Sequence, residues 1–431
     1  MCPKNSLQDL GIGQTDRRRI VIIGGGFAGL RLAGGLQKSN YQIVLLDRKN
    51  HHTFQHLLYQ VATAELEAGA IAYPLRKVLK NHPDYHFRMV RVERIDPARN
   101  SVVTRYGDLR YDYLVIATGA ETHFFGMDSV ARHALPMKTI AEALDIKNRM
   151  LKNLEDALLT PDADERRTLA TVVIAGGGPA GVETAGAFAD FKRFVLPRDY
   201  PDLDPNLFKI YLIELLPRLL AQMSEEASES AETYLKNMGV EVFTETRIQN
   251  YDGHTVKTDK TEFPARLLLW TGGISGAFID GLGEGLVDKK GRIAADRFCR
   301  VNGLENIYAL GDVVHMATEN HPEGHPQLAA VAVQQGEYLA GHFLDIEKGR
   351  KSKPFRYTDR GMMANIGRKK GIIELENGRN YKGFIPWISW LAVHLFFLAG
   401  FGNKLKTFAT WAWIYTSRDM ATPIILEKQD D

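Results

Sequence analysis

Two stretches of this chain repeat one grammar of buried strand, glycine turn and helix, and no other feature narrows the fold so far. Arg19–Ile23 leads into GGGFAGLRLAGGLQ, and Thr171–Ala175 leads into GGGPAGVETAGAFADF. Each run carries the G-x-G-x-x-G spacing, with Gly24, Gly26 and Gly29 in the first and Gly176, Gly178 and Gly181 in the second. In such a turn the first glycine permits the tight reversal and the second lets a pyrophosphate approach the backbone. The third lets helix and strand pack closely. The helix N-terminus then aims N–H groups and a positive dipole end at the phosphates. Each run therefore predicts the opening of a βαβ unit that binds a dinucleotide.

Acidic residues stand where ribose recognition needs them. In the first unit the next strand, QIVLLD, ends in Asp47, placed to accept hydrogen bonds from ribose hydroxyls. In the second, IYLIE ends in Glu214, later than usual because residues Arg193–Phe208 lengthen the connection. An acid there bonds the 2′-hydroxyl and repels a 2′-phosphate, so NADH is expected over NADPH. Leu215, Leu216 and Pro217 bring no charge to a phosphate, although Arg218 is close. Glu183, just inside the second helix, has two readings. It is a carboxylate stabilised by the helix dipole, or a group that faces the nicotinamide and holds its carboxamide.

A chain of 431 residues points to two or three domains. Three further apolar strands end in turns: Tyr113–Gly119 (YLVIATG), Leu267–Gly273 (LLLWTGG) and Ile307–Leu310 before Gly311-Asp312. The expected plan is an α/β fold of two Rossmann-type dinucleotide-binding domains. A first domain, residues 17–125 and 286–345, is split by an inserted second domain, 126–285, and followed by a C-terminal region, 346–431. Net charge is +2, from 54 basic and 52 acidic residues, which gives no argument for a nucleic-acid partner. Cys2 and Cys299 are the only cysteines and there is no C-x-x-C. Disulfide scaffolds, iron–sulfur sites and cysteine-rich metal sites are thereby disfavoured. The first 19 residues are polar and lack an apolar h-region, so they do not read as a signal peptide and a cytoplasmic chain is the default.

The C-terminal region has a different character. Phe384–Phe401 (FIPWISWLAVHLFFLAGF) is dense in aromatic and aliphatic residues, with Lys382 before it and Lys404, Lys406 and Arg418 after. The run is marginally short of the roughly 20 residues a membrane span needs, and Pro386, Ser389 and His394 interrupt it. Phe401, Leu405, Phe408, Ala412 and Tyr415 follow at helical spacing, one stripe of a helix. An in-plane amphipathic anchor suits this pattern; the plain alternative is a packed helix at a homodimer interface.

GGGFAG, HHTFQHLLYQVATAEL (His51–Leu66), YDYLVIATGA, GGGPAGVE, LLLWTGG, IYALGDV and the aromatic tail occur here in one order. In that order the chain resembles the type II NADH:quinone oxidoreductases, single-subunit enzymes that do not pump protons, from about Arg19 to about Thr422. The resemblance implies tightly bound, non-covalent FAD, NADH as co-substrate, and two-electron reduction of a membrane quinone, menaquinone or ubiquinone. It implies flavin contacts from Gly24, Gly26, Phe27, Ala28, Gly29, Asp47, Arg48, Thr118, Gly119, Gly311, Asp312 and Ala329. It implies nicotinamide-nucleotide contacts from Gly176, Gly178, Pro179, Gly181, Glu214, Gly272 and Gly273. Glu183, Lys382 and Gln334 take the expected catalytic roles, and Gln334, Ile385 and Lys382 border the quinone. A homodimer on the cytoplasmic face of the cell membrane, held peripherally, completes the expectation.

One departure stands out. The family pattern after the G-D strand, A-Q-x-A-x-Q-x-G, reads Ala329-Ala330-Val331-Ala332-Val333-Gln334-Gln335-Gly336 here. Ala330 replaces the first glutamine, so either Gln327 or Gln334 compensates or the quinone site differs. Hydride chemistry needs no general-base triad, and none is apparent. His51, His52 and His56 cluster, but no second ligand group accompanies them, so no metal is expected. A disulfide or peroxide reductase, or a sulfide:quinone oxidoreductase, needs a cysteine beside the flavin, and none lies between Cys2 and Cys299. A reductase for ferredoxin or rubredoxin, and a redox-sensing flavoprotein acting through a partner, are the remaining alternatives.

Overall fold

The computed structural model describes residues 8–417, 419 and 422–426, and its contacts divide the chain into two compact units. The first comprises Met1–His52, Tyr73–Glu121 and Ile274–Asp359; the second comprises Thr53–Ala72, Thr122–Gly273 and Arg360–Asp431. The expected boundaries at 125 and 285 thus move to 121 and 273. The region beyond 345 is also not a domain of its own: its strands and tail helices belong to the second unit, as does the short segment Thr53–Ala72.

The first unit is built on a parallel sheet whose strands run, in spatial order, Ile307–Ala309, Tyr113–Ile116, Arg19–Ile23, Gln42–Asp47 and Tyr85–Met89. All five residues of Arg19–Ile23 are buried, as expected of a central parallel strand covered on both faces. Strand order reverses beside Arg19–Ile23, and ligands bind at the carboxyl ends of strands at such switch points. Helices Phe27–Gly35 and Ala329–Glu347 pack together through glycine contacts. A Cβ on Gly336 would lie 2.5 Å from the Ala28 carbonyl oxygen, and one on Gly35 would lie 2.5 Å from the Ala340 Cβ.

The second unit repeats the plan with parallel strands ordered Leu135–Pro136, Leu267–Trp270, Thr171–Ala175, Lys209–Ile213 and Glu241–Phe243. Helix Pro179–Asp190 follows its central strand. An antiparallel sheet of Met362–Asn365, Gly371–Glu374 and Asn380–Gly383 packs against this helix, which it meets closely at Gly186. The lengthened connection Arg193–Phe208 forms a π-helical turn, Phe191–Val195, then Leu196–Asp199 and a 3-10 turn, Pro205–Leu207.

The apolar tail is two helices, Phe384–Phe397 and Phe401–Ser417. They are broken where Leu398 turns extended and Gly400 takes a φ of +86°. Among the described residues no helix is long and apolar enough to cross a membrane. The anticipated stripe on the second helix is exposed at Phe401 (83%), Leu405 (58%) and Phe408 (58%), opposite buried Thr407 and Trp411. Tyr415 departs from it: at the stripe's edge, its ring turns inward against Trp387, 4.9 Å between centroids, and under the Arg368 guanidinium. Arg418 and Cys2 lie outside the described residues.

A Cβ at Gly186 would sit 2.2 Å from the Ile366 carbonyl oxygen, a backbone clash that no rotamer relieves. Gly186→Ala is expected to cost about 2–3 kcal/mol and lower the Tm. Gly34→Ala, on an exposed helix face with nothing within 4 Å, is expected to leave the Tm unchanged or raise it slightly. Thermal melts of the two variants decide between a close-approach requirement and mere helix propensity.

Candidate functional site

In the first unit the turn after Arg19–Ile23 is as tight as its glycines allow. Gly24 has φ +106°, and a Cβ on it would lie 2.3 Å from the Ala117 carbonyl oxygen. A Cβ on Gly29 would lie 1.9 Å from the Gly24 carbonyl oxygen, so strand and helix Phe27–Gly35 meet backbone to backbone. At Gly26 a Cβ would meet nothing within 4 Å, and no side chain caps the helix start. Its N–H donors therefore face open space, where a phosphate is welcome. Asp47 ties the turn to the next strand, accepting from the Gly25 N–H at 2.7 Å and the Lys49 N–H at 2.7 Å. Beside the turn, buried Thr118 Oγ1 has no hydrogen-bond partner, and Gly119 (φ +73°) has open space where its Cβ would be.

The helix that follows the G-D strand sends its two adjacent glutamines different ways. Gln334 is committed to the backbone of Thr358, donating to its carbonyl at 2.9 Å and accepting from its N–H at 3.0 Å. Gln327 donates to the Asp312 carbonyl at 2.8 Å, and Ala330 is exposed. The inward residue is Gln335, fully buried, which accepts from the Gly311 N–H at 2.7 Å and leaves Nε2 without a partner. One residue is about 100° around a helix, enough to send Gln334 out and Gln335 in. Asp312 is half-buried, Arg48 is exposed, and Ala329 opens helix Ala329–Glu347. Two unsatisfied buried polar groups and two open glycine faces fit a flavin nucleotide.

The histidine cluster disperses. His52 is buried, within hydrogen-bond distance of the Gly25 carbonyl (Nδ1, 3.0 Å) and edge-on to Phe27, and burial lowers its pKa. His51 meets Asn50, while His56 lies near Phe54 and His394 in the second unit. Among the described residues no group of three or more His, Cys, Asp or Glu is placed to hold a metal.

The second unit carries the matching cradle. Gly176 has φ +105°, and its Cβ would lie 2.8 Å from Gly272 Cα. A Cβ on Gly181 would lie 1.8 Å from the Gly176 carbonyl oxygen, while one on Gly178 would meet open space. Pro179 begins the helix, where its missing N–H costs nothing. Gly273 packs under the Phe125 ring. Glu214 accepts from the Gly177 and Leu216 N–H groups. Arg218 turns away, its guanidinium donating to the carbonyls of Met223, Ser224 and Ala221.

Glu183 is buried, 7% exposed, on the second turn of helix Pro179–Asp190. Its Oε1 accepts from the Asn365 N–H at 3.0 Å, and the Trp390 side chain hydrogen-bonds it as well. Burial pushes its pKa up to about 8 against the opposing pull of those two donors. The helix-dipole reading alone predicts an ionised carboxylate; burial shifts this one toward its protonated form. Tyr59, also buried, accepts at its phenol oxygen from Asn365 Nδ2 at 2.9 Å and Gln60 Nε2 at 3.2 Å. Gln60 in turn accepts from Trp411 Nε1 at 2.8 Å. His394 stacks on Trp390 at 3.8 Å, its pKa drawn down to about 3, chiefly by burial.

Sequence pattern alone does not single out Tyr59, Asn365 or Trp390. Tyr59 lay inside the distinctive FQHLLYQVAT stretch, but Asn365 carries no local signal. Lys382 is exposed and reaches Ser230 Oγ at 3.5 Å, and Ile385 is 76% exposed. Neither belongs to the buried set around Glu183.

Glu183 also makes a prediction for stability. A carboxyl at about 8 in the native state and near 4.3 unfolded binds more protons when folded. Stability therefore falls as pH rises between those values, and the loss is complete above about 8. Urea denaturation of Glu183→Gln is expected to show a flatter pH dependence over this window, the difference being on the order of a few kcal/mol at pH 9. Parallel curves for the two proteins would mean that the carboxyl is ionised in the fold.

The chain matches the pyridine nucleotide-disulphide oxidoreductase family over residues 18–336. It is 31% identical to the type II NADH:quinone oxidoreductase Ndh of Mycobacterium tuberculosis, over 96% of this chain and 91% of that protein. It is 28% identical to the type II NADH:quinone oxidoreductase of Staphylococcus aureus, over 83% and 89%. Its fold is similar to that of NDH2 from Plasmodium falciparum, solved in complex with NADH. The TM-score there is 0.86 at 21% identity, over 93% of this chain and 98% of that one. The chain belongs to the pyridine nucleotide-disulphide oxidoreductase family and to the type II NADH:quinone oxidoreductases.

Proposed function

We propose that this enzyme oxidises NADH and reduces a membrane quinone by two electrons, with non-covalent FAD in the first cradle and no proton pumping. The observation that carries this reading is the pair of dinucleotide cradles in one chain, the second ending in a carboxyl that burial shifts toward its protonated form. Bound FAD supplies a two-electron carrier between NADH and quinone. The backbone N–H groups at the start of Phe27–Gly35 hold its pyrophosphate, Asp47 its ribose, and Asp312, Thr118 and Gln335 its remaining polar groups. Gly176, Gly178, Gly181 and Glu214 hold NADH; Glu214 repels a 2′-phosphate, and Arg218, spent on carbonyls, offers one no partner.

Glu183 has two tasks in this reading, orienting the nicotinamide carboxamide and, after it leaves, giving its proton to a quinone oxygen. Its pKa near 8 suits a general acid at neutral pH. Lys382 and Ile385 border the quinone entrance from outside the buried set. Cys299 is fully buried and burial pushes its thiol pKa up, which disfavours thiol chemistry there.

The exposed apolar faces at Ile385, Phe396, Phe401 and Phe408 (76%, 73%, 83% and 58% exposed), with Lys404 and Lys406 alongside, suit insertion into one leaflet in the membrane plane. The cytoplasmic face, where NADH is present, is the side this reading requires; a homodimer through the same helices is the competing use of these faces.

Stopped-flow mixing separates the half-reactions. Glu183→Gln is expected to be bleached by NADH within a few-fold of wild type. Its re-oxidation by a short-chain quinone is expected to slow by about 10²-fold and to lose the fall-off above pH 8. Unchanged re-oxidation would remove Glu183 from proton delivery. Phe401→Glu/Phe408→Glu is expected to abolish co-sedimentation with anionic vesicles while keeping turnover with a soluble quinone; loss of dimer in sedimentation, with vesicle binding intact, would assign these faces to self-association.

A further inference from the structure

Quinone reduction consumes one proton from solvent for each NADH oxidised, since two electrons and one proton leave the nicotinamide and the quinol needs two protons. Glu183 is buried among Asn365, Trp390 and Tyr59, so it has to be recharged from elsewhere after each turnover. The second unit contains a second, half-buried acidic site that the reaction so far leaves unused. A cavity of about 40 Å³ is lined by Thr63, Glu65, Asp190, Phe191, Arg368 and Tyr415, among others, with room for about two or three waters.

We propose that Glu65 and Asp190 take up the solvent proton in this cavity and pass it through Tyr59 to Glu183. The inference rests on reading Glu183 as the proton donor to quinone.

The local geometry is built for this. Asp190 lies seven residues after Glu183 on one helix, on nearly the same face and about 10 Å further along the axis. Its Oδ2 accepts from the Arg368 N–H at 2.7 Å. The helix then passes into the π-helical turn Phe191–Val195, a feature that concentrates at functional sites. Glu65 is brought to the cavity by a strained turn. Ala64 adopts φ +61°, an unfavourable conformation for a residue with a Cβ. The turn is pinned by the Glu65 N–H to the Gln60 carbonyl at 2.7 Å and the Thr422 N–H to the Ala64 carbonyl at 3.2 Å.

Tyr59 is in electrostatic reach of both Glu183 and Glu65. Its phenol oxygen already accepts from Asn365 and Gln60, so its own proton is the one it gives away. The Gln60 contact, at 3.2 Å the longer of the two, is the one an incoming proton displaces.

The charges around the pair set its loading. Asp190 faces Arg368, Lys370 and Arg193, and its pKa is still raised to about 6, chiefly by burial. Glu65 is raised to about 8 by burial and then by the Asp190 charge. Tyr415 feels both carboxyls and Arg368, and Asp419 also lines the cavity. Burial and the Asp190 charge favour a proton on Glu65, while the cations around Asp190 favour its ionised form. In each cycle the Glu183 O–H bond breaks as an O–H bond forms on the quinone oxygen. Tyr59 then gives its proton to the Glu183 carboxylate and receives one from Glu65. Glu65 regains a proton from cavity water, with Asp190 as the exchange partner, and no further redox partner is needed.

Stopped-flow measurements on the flavin-loaded Glu65→Gln and Asp190→Asn variants test the path. Flavin bleaching by NADH is expected to stay within twofold of wild type in both. Re-oxidation by a short-chain quinone is expected to slow roughly tenfold at pH 7.5, with its fall-off displaced to lower pH and a larger D2O effect. Tyr59→Phe is expected to copy Glu65→Gln. Wild-type re-oxidation rates and pH profiles in both acid variants would overturn the proposal, whereas absence of quinone re-oxidation in the wild-type protein would overturn the quinone reading itself. If neither acid variant folds, Glu65→Asp decides: a shifted pH profile for re-oxidation supports the path, and an unshifted one overturns it.

Discussion

The whole molecule depends on two places where a helix backbone touches a strand-end backbone. At Gly29 and Gly181 even one carbon atom would be driven to 1.9 and 1.8 Å of a carbonyl oxygen. That contact aims each helix N-terminus at the space beside Gly26 and Gly178, where nothing stands within 4 Å of a hypothetical Cβ. A larger residue at either contact would move the helix outward and take its N–H donors away from the phosphates. Asp47 and Glu214 then serve twice, bracing the turn through backbone N–H groups and standing where a ribose binds.

On this shared scaffold the two cradles diverge in what lies beyond the phosphates. The first is bordered by polar groups left for a ligand, Thr118 Oγ1 and Gln335 Nε2. The second leads to a carboxyl closed in by an antiparallel strand and by the tail, through Asn365 and Trp390. Burial, opposed by only two hydrogen-bond donors, shifts that carboxyl toward its protonated form, the state in which it can give a proton away. The tail therefore has an inner role as well as an outer one. Trp390, Trp411 and Tyr415 face the acidic interior, while Ile385, Phe401, Leu405 and Phe408 face outward.

The strands Arg19–Ile23, Gln42–Asp47 and Thr171–Ala175 were legible to the residue, because buried parallel strands read as unbroken apolar runs between turn signals. The tail was legible as an apolar run closed near Gly400 and followed by a helical stripe from Phe401, because a glycine and a new 3.6-residue period are both local signals; the extended turn at Leu398 was not. Tyr415 read as part of the outer stripe because periodicity reports a face and not what comes to meet it. The inward place of Gln335 was not legible for a similar reason: two adjacent glutamines on a helix look alike until the neighbouring strand end, at Gly311, shows which of them it meets. The compact units depart most from the expected domain limits at Thr53–Ala72, whose place in the second unit has no marker in composition.

Sequence by itself determined the two glycine turns, their strands and acids, and with them the α/β fold and the dinucleotide chemistry. These are local requirements, met within a few dozen residues, so spacing alone expresses them. Tertiary structure decided the protonation of Glu183, the pairing of Glu65 with Asp190 and the inward choice of Gln335. Each depends on groups far apart in the chain, Asn365 on Glu183 or Trp411 on Gln60. Desolvation and hydrogen bonding act through space, and no pattern along the chain records which distant residue excludes the water.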